Sequence, residues 1–100
     1  HLDQRCLILA SSFKEGGAQF HQPDWNFFCL AGLWRNEPDG PRFVMLTTTP
    51  NESVASFHNR MPFILHPDVY AEWLRGDYQK ILATPDKSPL KKFQKQPELF

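Results

Sequence analysis

The chain has 100 residues with 11 basic and 11 acidic side chains, 41% apolar residues and 14% aromatic ones. That length allows one domain with one modest core, to which nine phenylalanines and three tryptophans contribute most. Zero net charge excludes a broad basic face for duplex DNA, the apolar fraction argues against intrinsic disorder, and the longest apolar run, Phe27 to Trp34, is too short to span a bilayer.

In chain order, Arg5 to Ala10 (RCLILA) reads as a buried strand that stops at Ser11, Ser12 and a Gly16-Gly17 break. Gln19 to Asn26, with Pro23 and Asp24, reads as a loop. Phe27 to Leu33 is a second buried strand, the Pro-Asp-Gly turn within Asn36 to Pro41 follows, and Phe43 to Thr48 completes a hairpin. Thr49-Pro50-Asn51-Glu52 has a capping-box pattern and predicts a short helix to about Phe57. Pro62 to Leu65 is a brief strand. His66-Pro67-Asp68 then opens a helix with Val69, Trp73 and Leu74 on its inner face, ended by Gly76. Asp77 caps a further turn holding Tyr78, Ile81 and Leu82, and Pro85, Pro89 and Pro97 predict a tail without regular structure.

Strands joined by hairpins and interspersed with short helices point to an α+β fold with a mostly antiparallel sheet. We divide the chain into a partial domain at 1–83 and a Pro/Lys-rich tail at 84–100, where four lysines against two acids leave a net of +2. So few short strands leave sheet edges without partners, which predicts an N-terminal segment or second chain that completes the sheet. The absence of an initiator methionine agrees with that expectation. Cys6 and Cys29 lack metal-ligand or disulfide-framework spacing, and no signal-peptide pattern opens the chain, so a cytoplasmic protein is expected.

Several residues could carry chemistry. Phe57-His58-Asn59-Arg60-Met61-Pro62 puts an imidazole, an amide and a guanidinium side by side on a connection, where they serve either a proton donor–acceptor and an anion fork or simply a tied loop. Glu15 sits at a strand end beside glycines and is either a general base or a turn residue paired with Lys14. Ser11 or Ser12 with His58 and Glu15 lacks the G-x-S-x-G elbow of a serine hydrolase. His21, His58, His66 and the cysteines show no metal spacing, and Gly16-Gly17 is too little for a phosphate loop, so neither metal nor cofactor is expected. Trp25 and Trp34 either stack on bases or pack a core rim.

Taken together, Gln4 to Ala10 with Phe13 to Glu15, Ala31-Gly32-Leu33-Trp34, Met45 to Thr49, His58 to Pro62 and Ile64-Leu65 resemble the SOS-response-associated peptidase (SRAP) family over about residues 4 to 76, as its C-terminal half. The His-x-Arg-Met-Pro string is the most specific part. The resemblance implies a protein that shields abasic sites in single-stranded DNA, with no membrane involvement. It implies a thiazolidine formed from an N-terminal cysteine that self-processing exposes. Glu15 and His58 match the family's active-site glutamate and ring-opening histidine, Arg60 matches its phosphate-holding arginine, and Thr47 lies where a strand end approaches the site. Trp34 is assigned with Arg60 and Thr47 to the DNA contact. The sequence departs from the family in lacking the opening Cys-Gly-Arg and the Asn-Ala-Arg segment, in having Gly16 where a tryptophan follows the glutamate, and in a shorter loop from Glu15 to Phe27. Cys6 is internal, so its nitrogen is already an amide and cannot close a thiazolidine. The other expectation is therefore a noncatalytic module for single-stranded DNA or a protein partner.

Overall fold

The computed structural model describes residues 2–92. Strand β1 (Arg5–Ala10) is followed by a small hairpin of β2 (Phe13–Glu15) and β3 (Ala18–His21), then by the long hairpin of β4 (Phe28–Glu37) and β5 (Gly40–Met45). Three two-residue strands come next, β6 (Thr47–Thr48), β7 (Met61–Pro62) and β8 (Ile64–Leu65). A 3₁₀ turn at Pro67–Val69 leads into α1 (Tyr70–Arg75) and α2 (Tyr78–Ala83), and β9 (Lys91–Lys92) closes the described chain. All strand pairs among the described residues are antiparallel, and the architecture is the expected α+β one.

Strand β4 organises the main sheet. It holds β1 along one edge, from Arg5 opposite Leu33 to Ala10 opposite Phe28, and β5 then β8 along the other. The change of partner happens at a closed triangle of backbone hydrogen bonds: Leu46 N–H donates to Ala31 O (2.9 Å), Ala31 N–H to Phe63 O (2.8 Å), and Phe63 N–H to Leu46 O (2.9 Å). This junction explains why two strands expected to be continuous are divided. Phe43 to Thr48 becomes β5 and β6 because Leu46 turns from β4 toward β7, and Pro62 to Leu65 becomes β7 and β8 because Phe63 bonds both neighbours.

Because side chains alternate along a strand, β4 supplies two cores. Phe28 and Leu30 join Phe13, Phe20, Val54, Met61, Ile64 and Leu90 on one face. Ala31 joins Phe63, Leu65, Trp73 and Ile81 on the other, beneath the helices. Phe13 stacks on Phe20 (5.6 Å between centroids) and meets Phe28 edge-on (6.2 Å), geometries that add to simple burial.

Other expectations are corrected. Gln19 to Asn26 is not all loop, because Ala18–His21 pairs with β2 across Gly16 and Gly17, whose φ values of 59° and 81° suit a type I′ turn. No helix forms to Phe57. Residues 52–57 are turns, with Val54 and Ala55 N–H donating to Asn51 O and Phe57 and His58 N–H donating to Val54 O. Tertiary partners take the local polar groups instead: Asn51 Nδ2 donates to Ser88 O (3.2 Å), and Leu90 N–H donates to Ser53 Oγ (3.0 Å). Those bonds dock the prolyl segment, and Lys91–Lys92 pair with β3 where an irregular tail was expected; Pro97 lies outside the described residues. Leu74 is exposed rather than on the inner face of α1, whereas Trp73 is fully buried. Gly76 and Asp77 act as expected, the Asp77 carboxylate accepting from Gln79 N–H and Lys80 N–H at the start of α2.

Arg5 fastens the helices to the sheet. Its Nε donates to Trp73 O and its Nη2 to Gly76 O (3.3 Å), both near the C-terminal end of α1, where carbonyls lack helical partners. The guanidinium also lies 5.7 Å from the Trp73 ring centroid and 4.7 Å from that of Tyr78, while Trp73 Nε1 donates to Cys6 O (2.8 Å). Replacing Arg5 by alanine removes charged hydrogen bonds and ring contacts together and should lower unfolding free energy by about 2 kcal/mol. Trp73→Ala should cost about 3–5 kcal/mol. Urea unfolding followed by circular dichroism checks both, and an Arg5→Ala chain as stable as the parent would refute the fastening role.

Candidate functional site

Four of the five residues singled out in the sequence meet at one place. Glu15 ends β2, and a hydrogen bond network carries the site from there. Its Oε2 lies 3.3 Å from His58 Nδ1, with 17% of the glutamate side chain and 43% of the histidine side chain exposed. The same ring nitrogen is 3.1 Å from Arg60 O and 3.2 Å from Arg60 N. The Nδ1 edge of the ring is thus fixed between the Glu15 carboxylate and the backbone of Arg60, whose N–H points at Nδ1.

Arg60 is clamped to Thr47. Its Nε and Nη2 donate to Thr47 Oγ1 at 3.2 and 3.0 Å, and Nη2 also donates to Thr47 O at 2.8 Å. Nη1 makes no hydrogen bond among the described residues, so a preoriented guanidinium offers one arm to solvent. The β6–β7 pairing, Thr47 opposite Pro62 and Thr48 opposite Met61, brings Thr47 and Arg60 within reach of each other. The clamp thus follows from strand register.

Gly16 sets the approach of Glu15 to His58. Its φ is +59°, and a Cβ built there would lie 1.9 Å from Phe57 O and 2.6 Å from Phe57 C. No side chain fits that space, which accounts physically for glycine where the sequence resemblance suggested a tryptophan. The β2–β3 turn can then rest directly on the backbone that precedes His58. Phe57 is held from the other side by an edge-on contact with Phe20 (5.4 Å between centroids).

The fifth residue, Trp34, lies elsewhere, opposite Phe43 on the outer part of the β4–β5 hairpin. Trp25 meets His66 edge-on (5.5 Å) instead of forming an open platform. Ser12, just before β2, accepts at Oγ from Gln19 Nε2 (2.7 Å), so its hydroxyl is tied to β3. Among the described residues no three His, Cys, Asp or Glu side chains gather to hold a metal, and no helix is long and apolar enough to cross a membrane.

Sequence reading missed Gly16 as a determinant of this geometry. Two glycines between the alternating strings Phe13-Lys14-Glu15 and Ala18-Gln19-Phe20 were the available hairpin signal. Thr47 as the seat of the guanidinium had no local signal at all, since the contact joins residues 13 apart across a strand pair.

The cysteines are placed for packing. Cys29 is buried, and its N–H donates to Tyr70 Oη (3.3 Å). Burial pushes the Cys6 thiol above its ordinary value of 9.0, and burial followed by the Cys29 thiol pushes the Tyr70 phenol above 10.0.

The family model described as "SOS response associated peptidase (SRAP)" matches residues 1–97. The abasic site processing protein YoqW of Bacillus subtilis (strain 168) is 33% identical over 103 residues, covering 84% of this chain and 46% of that protein. The abasic site processing protein YoaM of the same organism is 31% identical over 103 residues, covering 84% and 45%. The chain thus spans about half the length of the curated relatives it matches. A crystal structure of a Bordetella bronchiseptica protein superposes with a TM-score of 0.72 at 23% identity, covering 90% of this chain and 54% of that one. One from Bacteroides thetaiotaomicron gives 0.70 at 19%, covering 90% and 48%. Both share the fold.

Two outcomes are expected from this site and its surroundings. Gly16→Ala combines left-handed backbone with a backbone clash, so it should cost about 2–4 kcal/mol and broaden or shift the His58 ring resonances in NMR spectra; a Gly16→Ala chain of parental stability would refute the close approach. For Cys6 and Tyr70 the folded chain holds the proton more tightly than the unfolded chain. Their contribution is therefore intact below the ordinary thiol pKa and is lost as pH rises through the raised values, so the urea midpoint should fall above about pH 9, less steeply in Cys6→Ala.

Proposed function

The chain belongs to the SOS response associated peptidase family, and from that membership we propose that it acts in the DNA-damage response by binding single-stranded DNA at abasic sites. The observation that carries this reading is the Glu15–His58 contact beside an arginine whose free arm faces solvent. An abasic sugar presents a masked aldehyde next to phosphates, and this patch has a partner for each. Arg60, held by Thr47, takes a phosphate oxygen on Nη1. His58 takes the proton from the C1′ hydroxyl as the C1′–O4′ bond breaks to give the aldehyde and returns it to O4′, while Glu15 steadies the charge that develops on the imidazole.

Covalent capture needs an amine and a thiol on adjacent carbons. Amine attack on the aldehyde gives a carbinolamine; loss of water, with a proton delivered to the leaving hydroxyl, gives an imine; thiol addition then closes a thiazolidine. His58 and Glu15 can pass the protons in each step. Cys6 and Cys29 are internal, with their nitrogens in amides, so an N-terminal cysteine on a further segment or second polypeptide supplies the nucleophile. Self-processing peptidase activity goes with that cysteine, and a cytoplasmic location goes with this reading.

Gly16 in place of the family's tryptophan and the shortened loop from Glu15 to Phe27 favour one other reading, a noncatalytic module that holds single-stranded DNA or a protein partner. An abasic oligonucleotide resolved on denaturing gels separates the two. The 100-residue chain alone should give a salt-sensitive complex that denaturation destroys. With a polypeptide that carries the N-terminal cysteine half of the fold, a band should persist, its rate falling about 100-fold in His58→Ala and Glu15→Gln. Persistent crosslinking at the parental rate in both variants would remove them from the mechanism, and no persistent band in the reconstituted protein would leave the module reading.

A further inference from the structure

The main sheet ends on β5, with no strand beyond it among the described residues. Two bonds fix which main-chain groups of this strand are free: Leu46 N–H reaches Ala31 O on one side of β4, and Trp34 N–H reaches Gln4 O (2.9 Å) on the other. Arg42 and Val44 therefore exchange bonds with Arg35 and Leu33 of β4, whereas the N–H and C=O groups of Phe43 and Met45 point away from the sheet. No other described element supplies them with a backbone partner.

Side chains on this stretch are bare on both faces. Phe43 and Met45, exposed by 66% and 42%, stand on one face with Trp34, and Val44, exposed by 60%, stands on the other with Leu33. A flat ligand would cover one face and leave the other face and the edge in water. An added strand takes up the free N–H and C=O groups and, because its own side chains alternate, covers both faces at once. The usual protections of a sheet edge are missing from Phe43 to Met45. Pro41 and the Arg42–Asp39 pair blunt only the hairpin tip, and the stretch itself holds no charge and no proline. At β1, the opposite edge, Arg5 is turned onto α1, and Leu9 is the one large apolar side chain left exposed.

We propose that β5 is the docking edge for a second copy of this chain, the two β5 strands pairing antiparallel about a two-fold axis at Val44. In that register Phe43 lies opposite Met45 of the second copy and Met45 opposite its Phe43. Four backbone hydrogen bonds form, ring and thioether meet on one face, and the two Val44 side chains meet on the other. Arg42 falls opposite Leu46, so no like charges are set against each other, and a chain with 11 basic and 11 acidic side chains has no net charge to oppose self-association. The pairing cannot lengthen, because Leu46 turns back to β4 and Pro41 has no N–H to give. Four bonds and a few side chains make a contact smaller than a standard protein interface, so a Kd of about 100 μM is expected. The proposal is independent of the DNA reading, since it uses none of Glu15, His58 and Arg60.

Sedimentation equilibrium of the 100-residue chain from about 10 to 500 μM reads the dimer, and amide hydrogen exchange reads the edge. Protection of the Phe43 and Met45 amides should rise with concentration, while the Arg42 and Val44 amides, bonded to β4, are protected throughout. Val44→Lys and Val44→Glu alter an exposed position, so each should keep the parental urea midpoint while weakening dimerisation about tenfold. An equimolar mixture of the two should pair at parental strength or better, since a two-fold axis at Val44 sets lysine against glutamate. A monomer across the whole range overturns the proposal, as does a dimer that Val44→Lys leaves intact or a mixture that pairs no better than either variant alone. Assemblies larger than two that Leu9→Lys abolishes would mean that β5 takes β1 of the next copy, and the two-fold pairing fails. If the parent is monomeric alone and its Phe43 and Met45 amides become protected only on adding the part of the YoqW protein that lies outside the match, the edge takes a different polypeptide and the second copy is refuted.

Discussion

Three backbone hydrogen bonds, closing a ring through Ala31, Leu46 and Phe63, decide how this small sheet is put together. A hairpin such as β4–β5 would ordinarily keep one partner along its length. Here β5 leaves at Leu46 and the chain returning from the 52–60 connection enters between, so that β6 finds β7 while β8 finds β4. Each backbone amide in the ring keeps a partner, which makes the branch affordable. Its geometric result is that Thr47 and Arg60, which no local rule connects, stand face to face.

The candidate site is built almost wholly from backbone decisions of this kind. Glycine at position 16 lets one turn lie on the carbonyl of Phe57, strand register seats the Arg60 guanidinium, and hydrogen bonds around Nδ1 orient the imidazole. Side-chain packing then fixes the frame: Phe13, Phe20 and Phe28 beneath the small hairpin, Trp73 beneath the other face. The partly exposed carboxylate and imidazole thus sit 3.3 Å apart on backbone that is packed from beneath.

Most strands were legible because alternation and turn chemistry are local. Arg5 to Ala10 has the expected limits, and the Pro-Asp-Gly turn joins β4 to β5 as its residues demand. What local rules could not see was set at a distance. The capping-box pattern at Thr49 promised a helix, but Asn51 and Ser53 bond the 88–90 segment instead. The tail's prolines argued against structure, yet Lys91–Lys92 extends the β2–β3 sheet. In the site itself, the residue types at 15, 58 and 60 announced chemistry, and the sequence resemblance grouped them; their contacts with Thr47 and Gly16 came from topology.

The bonds from Asn51 to Ser88 and from Leu90 to Ser53 each join residues 37 apart, and they hold the connection that ends in His58. During synthesis, therefore, the groups that touch the imidazole are all made before the segment that ties down the connection leading to it. Anchoring of the 51–53 turn waits on the 88–90 segment, a contact between residues distant in sequence and so of the kind that forms late in folding.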